Sequence, residues 1–154
     1  MRYLVTGGAG FIGSNLIKRL LQKKHSVICI DNFSSGNKVN IKQFLSNPKF
    51  TVFDHDITKP FDIETDGIWH LACPASPTYY EKNPIETTKV NFTGTYNMLE
   101  LARKNKSPFL LASTSEIYGN PEVHPQNESY NGSVNTNGVR SCYQEGKRIA
   151  ESIC

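Results

Sequence analysis

An α/β fold built on a doubly wound parallel sheet is predicted by three features of this chain. Short apolar runs alternate with longer amphipathic stretches, the pattern of repeated strand–helix–strand units. A glycine-rich turn, Gly7-Gly8-Ala9-Gly10-Phe11-Ile12-Gly13, directly follows the first apolar run and opens the first amphipathic stretch. The second run, Val27-Ile28-Cys29-Ile30, is continuously apolar, as a strand covered on both faces should be.

Taken in order, Tyr3 to Thr6 reads as the first strand. Phe11 to Lys24 reads as a helix, because Phe11/Ile12, Leu16 and Leu20/Leu21 recur near helical spacing. Val27 to Ile30 is the second strand, Val39 to Ser46 a short helix closed near Asn47-Pro48, and Phe50 to Phe53 the third strand. A turn-rich stretch, Thr58 to Asp66, leads to a fourth strand over Ile68 to Ala72. Pro84 to Lys104 predicts a long helix with proline at its start, where a missing N–H leaves nothing unpaired. Phe109 to Ala112 is the fifth strand, Asn120 to Asn137 a long surface loop, and Cys142 onward a helix that stops in mid-pattern. One domain, residues 1–154, is expected.

Composition narrows the function classes. The 154 residues are 38% hydrophobic and 20% charged, as in ordinary globular chains, and the net charge is only +3. Lys23-Lys24 and Lys104/Lys106 read as solvated helix faces, and no basic stripe interleaved with aromatics suggests nucleic acid. No stretch approaches the apolar length of a membrane span, and Arg2 to Thr6 runs straight into the glycine turn without the form of a signal peptide. Cys29, Cys73, Cys142 and Cys154 are scattered, and His25, His55, His70 and His124 lack metal-ligand spacing. A cytoplasmic protein with free thiols and no metal is expected.

The glycine triple at 7, 10 and 13 lies between strand and helix, the context that gives such a motif meaning. Gly7 permits the tight turn, Gly10 leaves room for a pyrophosphate, and Gly13 lets the helix close on the sheet. The helix N-terminus then offers unpaired N–H groups to the phosphates. Asp31 ends the second strand about twenty residues on, where a carboxylate accepts ribose hydroxyls and repels a 2′-phosphate. NAD rather than NADP is the expected cofactor, in a Rossmann-type domain. Asp56, after the third strand, is a candidate partner for the adenine amino group.

Tyr143 and Lys147 stand four residues apart, hence on one helix face, where a lysine charge lowers a tyrosine pKa. Ser113-Thr114-Ser115 places hydroxyls at the end of the fifth strand, the side on which open α/β sheets bind ligands. A hydroxyl, a tyrosine and a lysine so arranged can oxidise a secondary alcohol by hydride transfer to nicotinamide.

Several segments carry a family resemblance. They are Val5 to Ser14, Asp31-Asn32-Phe33, His70-Leu71-Ala72-Cys73-Pro74-Ala75-Ser76-Pro77, Asn83-Pro84-Ile85, Gly94 to Leu99, Ala112 to Gly119, and Arg140 to Tyr143. The chain resembles the N-terminal half of an extended short-chain dehydrogenase/reductase of the NAD-dependent epimerase/dehydratase family, and most of all the UDP-glucuronate decarboxylases (UDP-xylose synthases). Ser115-Glu116 stands where 4,6-dehydratases of this superfamily carry an Asp-Glu pair, so the acid for elimination is missing. The resemblance implies that Tyr143 takes the proton of a sugar C4 hydroxyl hydrogen-bonded by Thr114. The 4-ketone formed when C4 hydride passes to NAD⁺ loses CO₂, and hydride return gives UDP-xylose. Glu116 assists near C5, and Lys147 binds the nicotinamide ribose.

The resemblance further assigns Phe11, Ile12, Asn32, Phe33, Ser35, Ile57, Leu71, Ala72 and Cys73 to the cofactor and Lys89 to the substrate. Another nucleotide-sugar dehydratase or epimerase, or a non-catalytic NAD-binding remnant, are the alternatives. Departures from the family cluster before Tyr143, at Asn131 and Thr136-Asn137. The resemblance also implies a homodimer through the Pro84–Lys104 and final helices. It covers about half a typical member, so the sheet is expected to be truncated after the fifth strand with an unpaired edge. The chain alone is then expected to bind NAD weakly and not to turn over UDP-glucuronate.

Overall fold

The computed structural model describes residues 1–154. Five strands, β1 (Arg2–Thr6), β2 (Ser26–Asp31), β3 (Phe50–Asp54), β4 (Gly67–His70) and β5 (Phe109–Leu111), form one parallel sheet in the order β3-β2-β1-β4-β5. The order reverses beside β1, which puts the glycine turn at the switch point of the sheet, between β2 and β4.

Strand alternation builds two cores. Leu4, Ile28, Ile30 and Ile68 face one side, where they meet Val90, Met98 and Leu101. Val5, Val27 and Cys29 face the other, where they meet Ile17, Leu20, Ile41 and Phe44. A one-residue register slip would exchange the two sets, and each fully buried aliphatic side chain contributes about 1.5–3 kcal/mol. Burial on both faces therefore holds the register that fixes the strand ends.

Helix α1 (Phe11–Gln22) stops two residues earlier than its apolar pattern suggests, because Lys24 turns into the left-handed region at φ 64°. Helix α2 (Lys38–Ile41) starts with the Asn37 side chain accepting from Val39 N at 3.0 Å and passes into a 3₁₀ turn, Lys42–Phe44. The fourth strand ends at His70 rather than Ala72. Leu71 shares its N–H between Thr6 O at 3.3 Å and Thr6 Oγ1 at 3.1 Å, Ala72 donates to Thr6 Oγ1 alone at 3.1 Å, and the ladder ends there.

Two elements were not expected: a short helix α3 (Pro77–Tyr80) and a 3₁₀ turn over Ser115–Tyr118. The long helix is present but in sections, α4 (Pro84–Lys89), a π turn at Val90–Gly94, and α5 (Thr95–Asn105). The π turn lies where the helix meets its tightest neighbours: a Cβ at Gly94 would come within 2.5 Å of Ile57 Cδ1, and Gly146 crosses against Asn91. Residues 120–137 hold no helix or ladder strand, only a bridge of Ser133 to Gly119. Helix α6 (Ser141–Ile153) closes the fold, and no helix is long and apolar enough to cross a membrane.

Candidate active site

The glycine turn is shaped by contacts that only glycine tolerates. Gly7 lies at φ 67°, and a Cβ there would meet Ala72 N at 2.8 Å. At Gly13 a Cβ would sit 2.3 Å from Gly7 O, so glycine is what lets α1 close onto the turn. A Cβ on Gly10 would meet only Gly7 O, at 3.2 Å, and otherwise the open crevice. The three positions thus do three separate things, and Gly10 is the one that faces the open crevice.

Asp31 is buried at the opposite wall. Its Oδ2 accepts from Ala9 N at 2.9 Å and its Oδ1 from Phe33 N at 2.8 Å. The second bond holds Phe33 in the left-handed region, φ 56°, a conformation an aromatic residue rarely takes without such a partner. Lys38 sits over the Phe33 ring, 4.5 Å from its centroid, and pairs with exposed Asp54 at 3.6 Å.

Between these walls runs a crevice that opens to solvent. Of the residues assigned to the cofactor from sequence, Gly7, Gly10, Asp31, Asn32, Ser35, Ile57, Leu71, Ala72 and Cys73 line it. Phe11 and Ile12 do not: their side chains are 83% and 68% exposed on the first turn of α1, leaving only their backbone near the turn. Gly13 and Phe33 shape the walls from behind. Asp56 spends Oδ1 on Thr58 N at 2.9 Å, and its neighbours His55 and Ile57 form the lining instead. His55, Pro74, Tyr79 and Glu86 are lining residues that the sequence did not single out. Tyr79 follows from the unexpected α3.

The second cluster stands at the Cys73 end. Tyr143 is 7% exposed, and the Cys73 thiol and the Thr114 hydroxyl both act on its phenol. The Lys147 ammonium and the Asn91 amide in turn face Cys73. Cys73 therefore joins the crevice to the Tyr143–Lys147 pair. Lys147 Nζ donates to Ala112 O at 2.7 Å, which pins α6 to the end of β5. Glu116 Oε1 accepts from Arg140 NH1 at 3.0 Å and Oε2 from Gln144 Nε2 at 2.9 Å, so both its oxygens are fixed. Ser113 points elsewhere, its hydroxyl donating to Glu151. Lys89, the last residue of α4, is exposed and outside the crevice lining.

Electrostatics correct one expectation. Burial pushes the Tyr143 phenol above its ordinary range, Cys73 adds to the rise, Thr114 works against it, and Glu116 and Tyr80 raise it further. The sequence spacing had suggested a phenol made more acidic by Lys147. In the structure that ammonium is engaged by the Ala112 carbonyl, and loss of solvent outweighs the rest.

Fold, glycine turn and acidic strand end together define a Rossmann-type domain with an open crevice at its switch point. Residues 4–154 match the family model described as GDP-mannose 4,6 dehydratase, and the chain belongs to that family. It is 56% identical over 154 residues to UDP-glucuronic acid decarboxylase 6 of Arabidopsis thaliana, covering 99% of this chain and 45% of that protein. It is 53% identical over 153 residues to UDP-glucuronic acid decarboxylase 1 of Danio rerio, covering 99% of this chain and 37% of that protein. Among solved structures, DesIV, a dTDP-glucose 4,6-dehydratase from Streptomyces venezuelae with NAD and TYD bound, superposes with a TM-score of 0.85 at 27% identity. That match covers 99% of this chain and 50% of the dehydratase. The chain thus spans half or less of the length of these relatives.

Proposed function

We propose that this chain carries the NAD-binding and proton-transfer residues for decarboxylation of UDP-glucuronate to UDP-xylose. The observation that supports the reading best is the convergence of Tyr143 and Lys147 on Cys73, with the Thr114 hydroxyl bonded to the Tyr143 phenol, at one end of a crevice whose walls carry Gly10 and Asp31. The residues fit NAD: Gly10 opens onto the crevice, and Asp31 presents a carboxylate suited to ribose hydroxyls and hostile to a 2′-phosphate. When bound there, NAD would supply a hydride acceptor and donor.

The chain's own residues do the rest. Gly7, Gly10 and the backbone at the start of α1 hold the pyrophosphate, and Asp31 the adenosine ribose. Leu71, Ala72 and Cys73 wall the nicotinamide side. Tyr143, in its ionised form, accepts the proton of the substrate C4 hydroxyl, Thr114 hydrogen-bonds the same oxygen, and Lys147 holds the nicotinamide ribose. Glu116, steadied by Arg140 and Gln144, acts beside C5. Lys89 contacts the substrate from the exposed end of α4. Phe92, Tyr96 and Ile149, exposed on the helices implied to pair in a homodimer, support that assembly, and four free thiols support a cytoplasmic location.

The test has two arms. Calorimetric titration of the chain with NAD gives saturable binding that Gly10→Val abolishes. A chimera in which this chain replaces the matching segment of the Arabidopsis relative releases CO₂ from UDP-glucuronate and forms a UDP-pentose, whereas its Tyr143→Phe form does not. A 4-keto-6-deoxy product from a UDP-hexose, without CO₂, would instead support the alternative reading as a nucleotide-sugar dehydratase.

A further inference from the structure

The least expected element of the fold bears directly on the phenol. Helix α3 begins with Pro77 at its first turn and ends with Tyr80, whose side chain is 2% exposed. The rings of Tyr80 and Tyr143 lie face to face, centroids 5.0 Å apart and planes within 2° of parallel. The chain leaves no slack between the two helices, because the Cys142 thiol also donates to Tyr80 O at 3.6 Å. One residue earlier, Tyr79 lines the crevice.

We propose that Tyr80 is a positioning residue for Tyr143, the platform that sets the plane of the phenol and shields its far face from water. The inference rests on the reading of Tyr143 as proton acceptor and adds a residue that touches neither cofactor nor reacting atoms. A phenol with one face against solvent rotates about χ1 and χ2 at little cost. A stacked one is held in a single orientation by an aromatic contact contributing about 0.5–1.5 kcal/mol beyond its burial. Direction of the hydroxyl, rather than its presence, is what this contact supplies.

The groups facing the pair are known. Tyr143 meets Cys73 from the loop after β4, Thr114 and Glu116 from the segment after β5, and Tyr80 from α3. Tyr80 meets Arg140, Glu116, Glu81 and Cys142. Replacing the Tyr80 ring by a side chain that admits water should therefore act through solvation, with those charges unchanged.

The experiment uses the chain labelled with 3-fluorotyrosine, whose phenol titrates below the range of alkaline unfolding, and assigns the Tyr143 fluorine signal with Tyr143→Phe. Tyr80→Phe keeps the stack and removes only the small rise that the Tyr80 phenol contributes, so it is the reference. Relative to it, Tyr80→Leu should lower the Tyr143 titration and remove the ring-current displacement of the signal. Equal titrations in folded Tyr80→Leu and Tyr80→Phe overturn the inference. So does a wild-type Tyr143 signal without ring-current displacement, which needs no variant to fold. If the signals behave as expected while the chimera shows no Tyr143-dependent CO₂ release, the stack stands and the proton-acceptor reading falls.

Discussion

Lys147 Nζ donates to the backbone carbonyl of Ala112 at 2.7 Å, so the only buried ammonium of the fold is tied to the end of β5. The bond joins the last helix to the sheet edge and leaves the charge facing Cys73 and buried His70. Lys147→Met keeps the stem and removes the charge. The Ala112 carbonyl then lacks its donor, which costs about 1–3 kcal/mol in urea unfolding. Burial already raises the Cys73 thiol pKa, and Lys147 is the largest influence holding it down. Alkylation of Cys73 by iodoacetamide, read by peptide mass, should slow in the variant. An unchanged rate would mean that the ammonium does not act on the crevice.

His70 gives a pH dependence whose sign is fixed. Burial, and then the Lys147 charge, lower its pKa to about 3. The ring bridges Thr6 Oγ1 at 2.8 Å and Thr95 Oγ1 at 3.2 Å. Thr6 Oγ1 already accepts from Leu71 and Ala72, so its hydroxyl donates to Nδ1, and Nε2 carries the proton toward Thr95. Between about pH 6.5 and 3 the unfolded chain binds a proton that the folded one refuses. Stability from this group is whole above pH 6.5 and declines as pH falls toward 3, by several kcal/mol. Urea unfolding from pH 7 to 4 should show this decline, and His70→Asn should flatten it. Parallel profiles would sink the assignment.

The glycines separate folding from binding. Gly13→Ala drives a methyl onto the Gly7 carbonyl, a backbone atom that cannot step aside, and should destabilise by about 1–3 kcal/mol or more. Gly10→Ala meets only Gly7 O at 3.2 Å and should fold with nearly wild-type stability. Its methyl fills the pyrophosphate approach, so NAD affinity should drop by at least about tenfold, roughly 1.4 kcal/mol. Thermal unfolding and NAD calorimetry on both variants check the contrast, which fails if Gly10→Ala binds NAD as wild type does.

What sequence made legible here is what short-range pattern encodes. The apolar runs gave all five strands to within a residue or two, and Gly7, Gly10 and Asp31 were readable because turn geometry and spacing specify them locally. Leu71 and Ala72 continue the apolar run of β4, yet a hydroxyl sixty-five residues away captures their N–H groups. The Pro74-Ala75-Ser76-Pro77 stretch reads as loop, and the single turn of α3 that follows is held by packing on α6. The Tyr143–Lys147 spacing was visible, but the direction of the phenol pKa depends on burial and on Cys73, which no helical period relates to Tyr143. The π turn at Val90–Gly94 likewise answers to Ile57 and Gly146 across the fold.

In the proposed reading cofactor choice rests on Asp31, whose oxygens accept from Ala9 N and Phe33 N. Asp31→Asn retains one acceptor oxygen and turns an amide toward the other donor, so one bond is lost and stability falls by about 1–3 kcal/mol. The larger consequence is electrostatic. Two unit charges about 4 Å apart repel by about 4 kcal/mol at an effective dielectric near 20. Even a quarter of that, left after screening, changes a binding ratio about tenfold. The preference for NAD over NADP should therefore narrow by at least about tenfold in Asp31→Asn, and the wild-type preference should shrink as salt is added. Calorimetric titration of both proteins with both dinucleotides reads the ratio directly. Equal ratios would show that the carboxylate does not face the 2′ position, and discrimination would then have to come from the Asn32–Gly36 loop.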